Sequence, residues 1–326
     1  MSRVCVPCFA KVNLTLAVLY RRPDQFHELR TVFQTISLHD RLEIDYRPAR
    51  RRRIELECAI PIADNLVIRA AHAVLDELRL NAAVRFRLDK RIPMGAGLGG
   101  GSSDAAAVLL ALPALARRAI GESRLHEIGG GLGSDVPFFL LGGTAVGLGR
   151  GEELYPIEGP GTAWAVVLCP PAPVSTPEAY RALGRPALTE LTSAEIVNKM
   201  KKFQSVVRLM VCPDAGGDWK LFCENDFEAA VFRQYPLLEF LRRKLSATGA
   251  QLARMTGSGS ALFGVYPTRK EARAAADRLA GSRRDGNGPD IRQEMVSFVS
   301  RTRYRSAWRK ALQPLVAGRT WPPRHI

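Results

Sequence analysis

The densest run of chemically useful backbone in the chain lies between Pro93 and Ala107. It reads Pro93, Met94, Gly95, Ala96, Gly97, Leu98, Gly99, Gly100, Gly101, Ser102, Ser103, Asp104 and then three alanines. Five glycines in the seven residues from Gly95 to Gly101 bring no side chains to a core. They permit positive φ and close approach of backbone to a ligand. Ser102, Ser103 and Asp104 are all good helix N-caps, and Ala105 to Leu112 is a strong helix former. The loop is therefore expected to empty into a helix N-terminus. Free N–H groups and the positive dipole end converge there, making an anion site that suits a phosphate.

Common phosphate loops and a plain linker fit this stretch poorly. Gly95, Gly97 and Gly100 satisfy G-x-G-x-x-G, a weak signal by itself. A dinucleotide fold places a carboxylate about 20 positions further on, where this chain has Ala114, Leu115, Ala116, Arg117 and Arg118. A Walker loop needs a lysine before Ser/Thr, and none occurs between Lys90 and the helix. A flexible linker is not followed by Ser-Ser-Asp and an apolar helix.

Other chemical groups sit on elements that must carry them to the loop. From Phe9 to Val18, Val12, Leu14, Leu16 and Val18 alternate with Lys11, Asn13 and Thr15, the pattern of a half-buried strand. Lys11 and Asn13 then point together to its polar side. Pro23 and Asp24 mark a turn before Phe26 and His27, and a second strand follows from Leu29 to Ile36. Asp135 precedes Val136 and Pro137 in a helix-start context, where a plain N-cap is the simpler reading. Thr176 and Tyr180 open a helix, and Gly257, Ser258 and Gly259 form a second flexible turn. Each of the aromatic residues can equally be packing.

Taken in order, these stretches resemble the GHMP kinases, the superfamily of galactokinase and the homoserine, mevalonate and phosphomevalonate kinases. The likeness is carried by Ala10-Lys-Val-Asn-Leu14, by Pro93 to Ser103, by Gly133-Ser-Asp-Val-Pro-Phe138 and by Thr256-Gly-Ser-Gly-Ser260. Arg21-Arg-Pro-Asp-Gln-Phe-His-Glu-Leu29 and Val174-Ser-Thr-Pro177 are most similar to the branch acting on a cytidine diphosphate-linked methylerythritol in non-mevalonate isoprenoid biosynthesis. Phe9, Phe26 and Ser134 depart from the proline, tyrosine and alanine usual in that pattern.

The resemblance implies an ATP-dependent small-molecule kinase that phosphorylates the 2-hydroxyl of this substrate. It implies that the amides of residues 93–103 hold ATP, with Ser102 or Ser103 near Mg²⁺. Lys11 and Asp135 become the catalytic pair, and Asn13, Phe26, His27, Thr176 and Tyr180 the substrate contacts. Phe26 and Tyr180 would sandwich the cytosine, and Gly257, Ser258 and Gly259 would support the phosphate loop. The implied fold is α+β in two domains. An N-terminal half like ribosomal S5 domain 2 precedes a C-terminal ferredoxin-like half, with the active site in the cleft between.

Composition sets the outer bounds. A chain of 326 residues, 46% hydrophobic and 24% charged, can bury a sizeable core in two domains. The expected division is 1–165, 166–310 and a basic tail without order at 311–326. No apolar run approaches the roughly 20 residues of a membrane span, and Val4 to Ala10 is too short for a signal peptide. A cytoplasmic protein, monomeric or weakly dimeric, with six reduced cysteines and no zinc site at Cys5 and Cys8 is expected. The net charge of +15 gathers at Arg47, Arg50 to Arg53 and Arg301 to Lys310. It is read as a solvated basic face rather than a nucleic-acid surface. Two alternatives stay open: another GHMP kinase of the homoserine or mevalonate type, and a non-catalytic RNA-binding protein with an S5-like fold. The stretch 187–219 matches no motif.

Overall fold

The computed structural model describes residues 2–61, 63–185, 193–212, 217–281, 290–313, 315–316 and 321–323. The alternating stretch around Lys11 is the middle of a longer strand, β1 (Ser2–Arg21), buried on both faces from Cys8 to Leu19. Its polar side chains therefore do not face solvent, as a half-buried strand would have them. Val4, Val6 and Cys8 belong to one apolar core, Ala10, Val12 and Leu14 to a second, and Leu16 and Val18 to a third. A register shift between Phe9 and Ala10 makes the first change, because one extra residue turns alternate side chains to the other face.

β2 (His27–Pro48) pairs antiparallel with β1 from Ser2↔Tyr46 to Arg21↔His27. The strand expected at Leu29–Ile36 is only part of it, because β1 offers a continuous partner. The near half of β2 pairs with β5 (Thr144–Leu148), and its far half with β4 (Ala82–Asp89). β3 (Arg53–Cys58) extends β4 in parallel, and β6 (Glu153–Ile157) extends β5. Helices α1 (Leu66–Glu77), α2 (Gly100–Leu115), α3 (Glu122–Leu132) and α4 (Val136–Leu141) contribute to the core on this sheet.

α2 starts earlier than its capping residues suggest. Gly99, at φ 72°, occupies the N-cap position, so Ser102, Ser103 and Asp104 lie inside the helix. Asp104 is buried one turn in and accepts from Lys90 Nζ at 2.9 Å. Lys90 is also bonded to Asp40, whose other oxygen accepts from the backbone N–H of Arg91 and of Ile92. Two buried carboxylates thus share one ammonium beneath the glycine loop. Asp104 Oδ1 has no partner among the described residues. Burial, with Asp40 adding to it and Lys90 opposing, pushes the Asp104 carboxyl up to about 7.

The second sheet is β7 (Trp164–Cys169), β8 (Leu252–Met255), β9 (Leu262–Tyr266) and β10 (Arg292–Ser297), antiparallel in the order β10-β7-β9-β8. Between β7 and β8 run α5 (Thr176–Leu183), α6 (Ser193–Val211), α7 (Phe227–Gln234) and α8 (Pro236–Ala247), and α9 (Arg269–Gly281) precedes β10. Strand, helix, two strands, helix, strand in this order is the ferredoxin-like arrangement. α6 accounts for most of the stretch that carried no motif. It places Phe203, Val206 and Met210 in the core between the sheets. The loop expected at 215–218 lies partly outside the described residues.

The basic C-terminal segment is placed differently from expectation. α10 (Arg301–Leu312), capped by Ser300, sends Tyr304, Trp308 and Leu312 into the core of the first sheet, not the second. Leu315, Val316 and Trp321 pack against the same core, so the described part of 311–326 is not a tail without order. Tyr304 Oη donates to Phe139 O at 2.5 Å, and Trp321 Nε1 to Leu140 O at 2.7 Å, both on α4. The arginines conceal an apolar stripe at i, i+4 and i+8.

Trp308→Ala should cost about 3–5 kcal/mol in urea unfolding, as for a large buried aromatic; a loss below 1 kcal/mol would detach α10 from the core. Lys90→Met should cost about 3–5 kcal/mol by leaving buried carboxylates unpaired. The folded Asp104 pKa stands above its unfolded value of 3.8. Its contribution is therefore full below that value and lost as pH rises through about 7. Asp104→Asn should flatten the pH dependence of stability across this window; an unchanged slope would assign it to another group.

Candidate active site

Gly95, Gly97 and Gly99 adopt φ of 65°, 75° and 72°. A Cβ at Gly97 would stand 2.3 Å from Thr256 O, and one at Gly99 2.8 Å from the Phe139 ring and 3.1 Å from Lys11 Cγ. All three glycines are thus favoured by conformation, and Gly97 and Gly99 by contact as well. Backbone bonds pin the loop: Lys11 N donates to Leu98 O at 3.0 Å, and Ala261 N to Ala96 O at 3.1 Å. Ala96 and Leu98 are buried, leaving peptide groups and glycines to front a cleft of about 350 Å³. Pro93 to Ser102 line it, joined by Asp64, Asn65, Lys90 and Asp104. Ser103 is buried and does not line the cleft; Ser102 does.

Lys11 meets Asp135 beside this loop. Lys11 Nζ stands 3.2 Å from Asp135 Oδ2 and donates to Asn13 Oδ1 at 2.8 Å, above the Phe33 ring at 5.3 Å. Asp135 sits at the N-cap position of α4 but makes no capping bond there. Its carboxylate is spent on Lys11 instead, which the simple N-cap reading does not give. Asn13 Nδ2 donates to Thr31 Oγ1 at 2.8 Å, and that hydroxyl to Thr15 O at 2.8 Å. Asn13 is thereby fixed amide-oxygen toward Lys11. Thr256 Oγ1 accepts from Asn13 N at 3.1 Å and reaches Gly97 O at 3.3 Å, tying the strand to the loop.

A second cleft, of about 540 Å³, opens on the other side of the pair. Lys11, Asn13, Phe26, His27, Asp135, Thr176, Tyr180, Gly257 and Ser258 line it, and it shares Gly97 and Gly99 with the first. The two clefts meet at these glycines. Thr176 Oγ1 lies 2.8 Å from Ser258 Oγ, joining α5 to the second glycine turn. Gly257 presses that turn on the loop: its Cβ would lie 3.4 Å from Gly97 Cα. Gly259 does not line either cleft; a Cβ there would meet Met255 Sδ at 2.8 Å. Asn225 Nδ2 braces the turn through Met255 O and Gly257 O.

The aromatic groups are arranged otherwise than expected. Tyr180 stacks on His27, centroids 4.5 Å apart and planes 22° apart, and meets Phe227 edge-on. Phe26 is half exposed with the Arg150 guanidinium 4.6 Å over its ring. The face of Tyr180 assigned to a base is therefore covered by imidazole, because β2 begins at His27 directly opposite α5. Burial, then the charges of Arg21 and Arg185, hold His27 below its ordinary pKa, so the ring is neutral at pH 7. Burial and the Asp135 charge push the Tyr180 phenol upward, keeping it protonated.

Sequence reasoning missed Thr256, Lys90, Asn65 and Arg150 as site residues. Thr256 stood next to the quoted Gly257 turn, and Asn65 was visible as the cap of α1. Nothing local marked Lys90 or Arg150.

Residues 65–143 match the GHMP kinases N terminal domain, and residues 214–283 the GHMP kinases C terminal domain. The 4-diphosphocytidyl-2-C-methyl-D-erythritol kinase of Solibacter usitatus (strain Ellin6076) is 50% identical over 96% of this chain and 94% of its own. A solved 4-(cytidine 5'-diphospho)-2C-methyl-D-erythritol kinase is 35% identical with a TM-score of 0.70, covering 90% of this chain and 98% of that one. Homoserine kinase from Cytophaga hutchinsonii ATCC 33406, also at TM-score 0.70, covers 92% of this chain and 95% of its own; at 17% identity it shares the fold alone. No described helix is long and apolar enough to cross a membrane. The two-domain fold, the glycine loop and the similarity across nearly the whole chain agree, and the protein belongs to the GHMP kinases, within the family of 4-diphosphocytidyl-2-C-methyl-D-erythritol kinases.

Proposed function

We infer that the protein transfers the γ-phosphoryl group of ATP to the 2-hydroxyl of 4-diphosphocytidyl-2-C-methyl-D-erythritol, releasing ADP. The observation that carries this reading is the meeting of the two clefts at Gly97 and Gly99, with Lys11 and Asp135 beside the junction. Phosphoryl transfer needs neutralised phosphate charge, an aligned nucleophile and little water. The amides of the loop and the N-terminus of α2 supply the first toward the triphosphate.

Asp135 takes the proton of the acceptor alcohol as its oxygen bonds to the γ-phosphorus and the bond to the β-phosphate oxygen breaks. Lys11, 3.2 Å from Asp135, holds the carboxylate in place and spreads charge in the transferring group. Asn13 orients Lys11. The neutral His27 can donate from one ring nitrogen and accept at the other, which suits the edge of a cytosine.

Mg²⁺ is the charge-neutralising partner such a transfer uses when bound. Among the described residues no three His, Cys, Asp or Glu side chains converge. The fitting arrangement is an ion carried chiefly by phosphate oxygens, with the Ser102 hydroxyl, which fronts the cleft, as the protein's contribution.

Asp135→Asn should lower kcat about 10²–10⁴-fold while ATP still binds; near-normal turnover would remove Asp135 from the chemistry. In a coupled ADP-release assay the cytidylyl substrate should turn over, and homoserine, mevalonate and galactose should not. CMP should compete with the acceptor. Turnover of one of the other three without CMP inhibition would reassign the substrate.

A further inference from the structure

A third cavity, of about 570 Å³, lies away from both clefts and shares no lining residue with them. Four of its lining residues are arginines of α10: Arg301, Arg303, Arg305 and Arg309. Among the described residues Glu158 is the one carboxylate lining it. We propose that this cavity is a binding site for a small polyphosphate anion, of the diphosphate or triphosphate class.

The arrangement is electrostatically costly without such a partner. Arg301 and Arg303 stand in the first turn of α10, which has no acidic residue, where the helix dipole disfavours cations. Arg301, Arg305 and Arg309 repeat at i, i+4 and i+8, placing like charges side by side. Burial, and then the Arg305 charge, hold the Arg301 guanidinium below its ordinary pKa; burial holds Arg305 below its own, with Glu122 opposing and Arg309 adding. Among the described residues neither makes an ion pair, and the Nε of each is buried without a hydrogen-bond partner. An anion in the cavity offsets the clustered positive charge and the unfavourable helix dipole.

The groups are also held in place for it. Arg301 donates to Thr144 O at 2.8 Å and Ile157 O at 3.2 Å, Arg303 to Ser297 Oγ at 3.2 Å, and Arg305 lies 5.2 Å over the Trp321 ring. Guanidinium groups held in this way offer their remaining terminal N–H groups to phosphate oxygens as charge-assisted donors. The charges converge on a concavity from one helix instead of forming an extended stripe. Among the described residues Phe298 is the one aromatic ring lining the cavity, and it is buried. Single-stranded nucleic acid, which needs a groove and exposed rings for its bases, fits less well.

The test uses the full chain saturated with a non-hydrolysable ATP analogue, so that the catalytic loop is filled. Inorganic pyrophosphate is then titrated by calorimetry, with tryptophan fluorescence reporting on Trp321. Saturable binding is expected in the wild type. It should weaken roughly 30-fold or more in the Arg303→Ala/Arg305→Ala double variant, while turnover, which uses neither residue, serves as the folding control. Thr162→Glu places a carboxylate in the cavity without altering α10 and should weaken pyrophosphate likewise. No saturable binding in the wild type overturns the proposal, as does unchanged affinity in both variants. Tighter, steeply salt-dependent binding of a single-stranded oligonucleotide through the same arginines would also overturn it, in favour of a nucleic-acid surface.

Discussion

A lysine ammonium in the middle of a strand buried on both faces has to be met by an acceptor, and much of this structure follows from that requirement. Lys11 cannot reach bulk water without leaving β1, and an unpaired charge in such a place is prohibitive. Asn13 supplies one acceptor and Asp135 the other. Each is bound in turn. Asn13 is locked by Thr31 and Thr256, and Asp135 is presented at the start of a short helix whose far end is bonded by Tyr304 and Trp321. The carboxylate stays about one-third exposed while the ammonium is buried. That asymmetry suits a pair in which one member must touch an incoming alcohol and the other must not drift.

The same strand explains why the clefts adjoin. β1 passes through three apolar cores in succession, so it is the common wall of both sheets. Its Lys11 amide holds Leu98 O of the phosphate loop, and its Asn13 amide holds the Thr256 hydroxyl. Donor loop, acceptor cleft and the ion pair are therefore referenced to one rigid element rather than to each other. The glycines serve this economy of space: at Gly97 and Gly99 peptide backbone touches Thr256, Phe139 and Lys11 where no side chain fits.

What the sequence made legible was chemistry written in consecutive residues. The glycine loop, the Lys11-x-Asn13 pair and the Asp135 segment are local patterns, and the structure brings them to one place. The long-range partners were opaque. Thr256 acts through a hydroxyl on a residue 243 positions from Asn13, and Lys90 through carboxylates 50 and 14 positions away. β2 read as a strand ending at Ile36 because the residues beyond are polar; a continuous partner strand extends it. The His27–Tyr180 stack was missed for a related reason: ring contacts across a cleft depend on the angle between α5 and β2, which no local pattern encodes. α10 read as a solvated basic stretch because its arginines outnumber the three apolar residues that decide where it goes.

Those three residues have a bearing on how the chain is made. Tyr304, Trp308 and Leu312 emerge from the ribosome after every strand of both sheets, yet they close the core that the first strand begins. The N-terminal layer consequently waits, with apolar surface uncovered, through the synthesis of the entire C-terminal layer. Sealing of the first core therefore comes last in synthesis, after the layer that follows it in the chain.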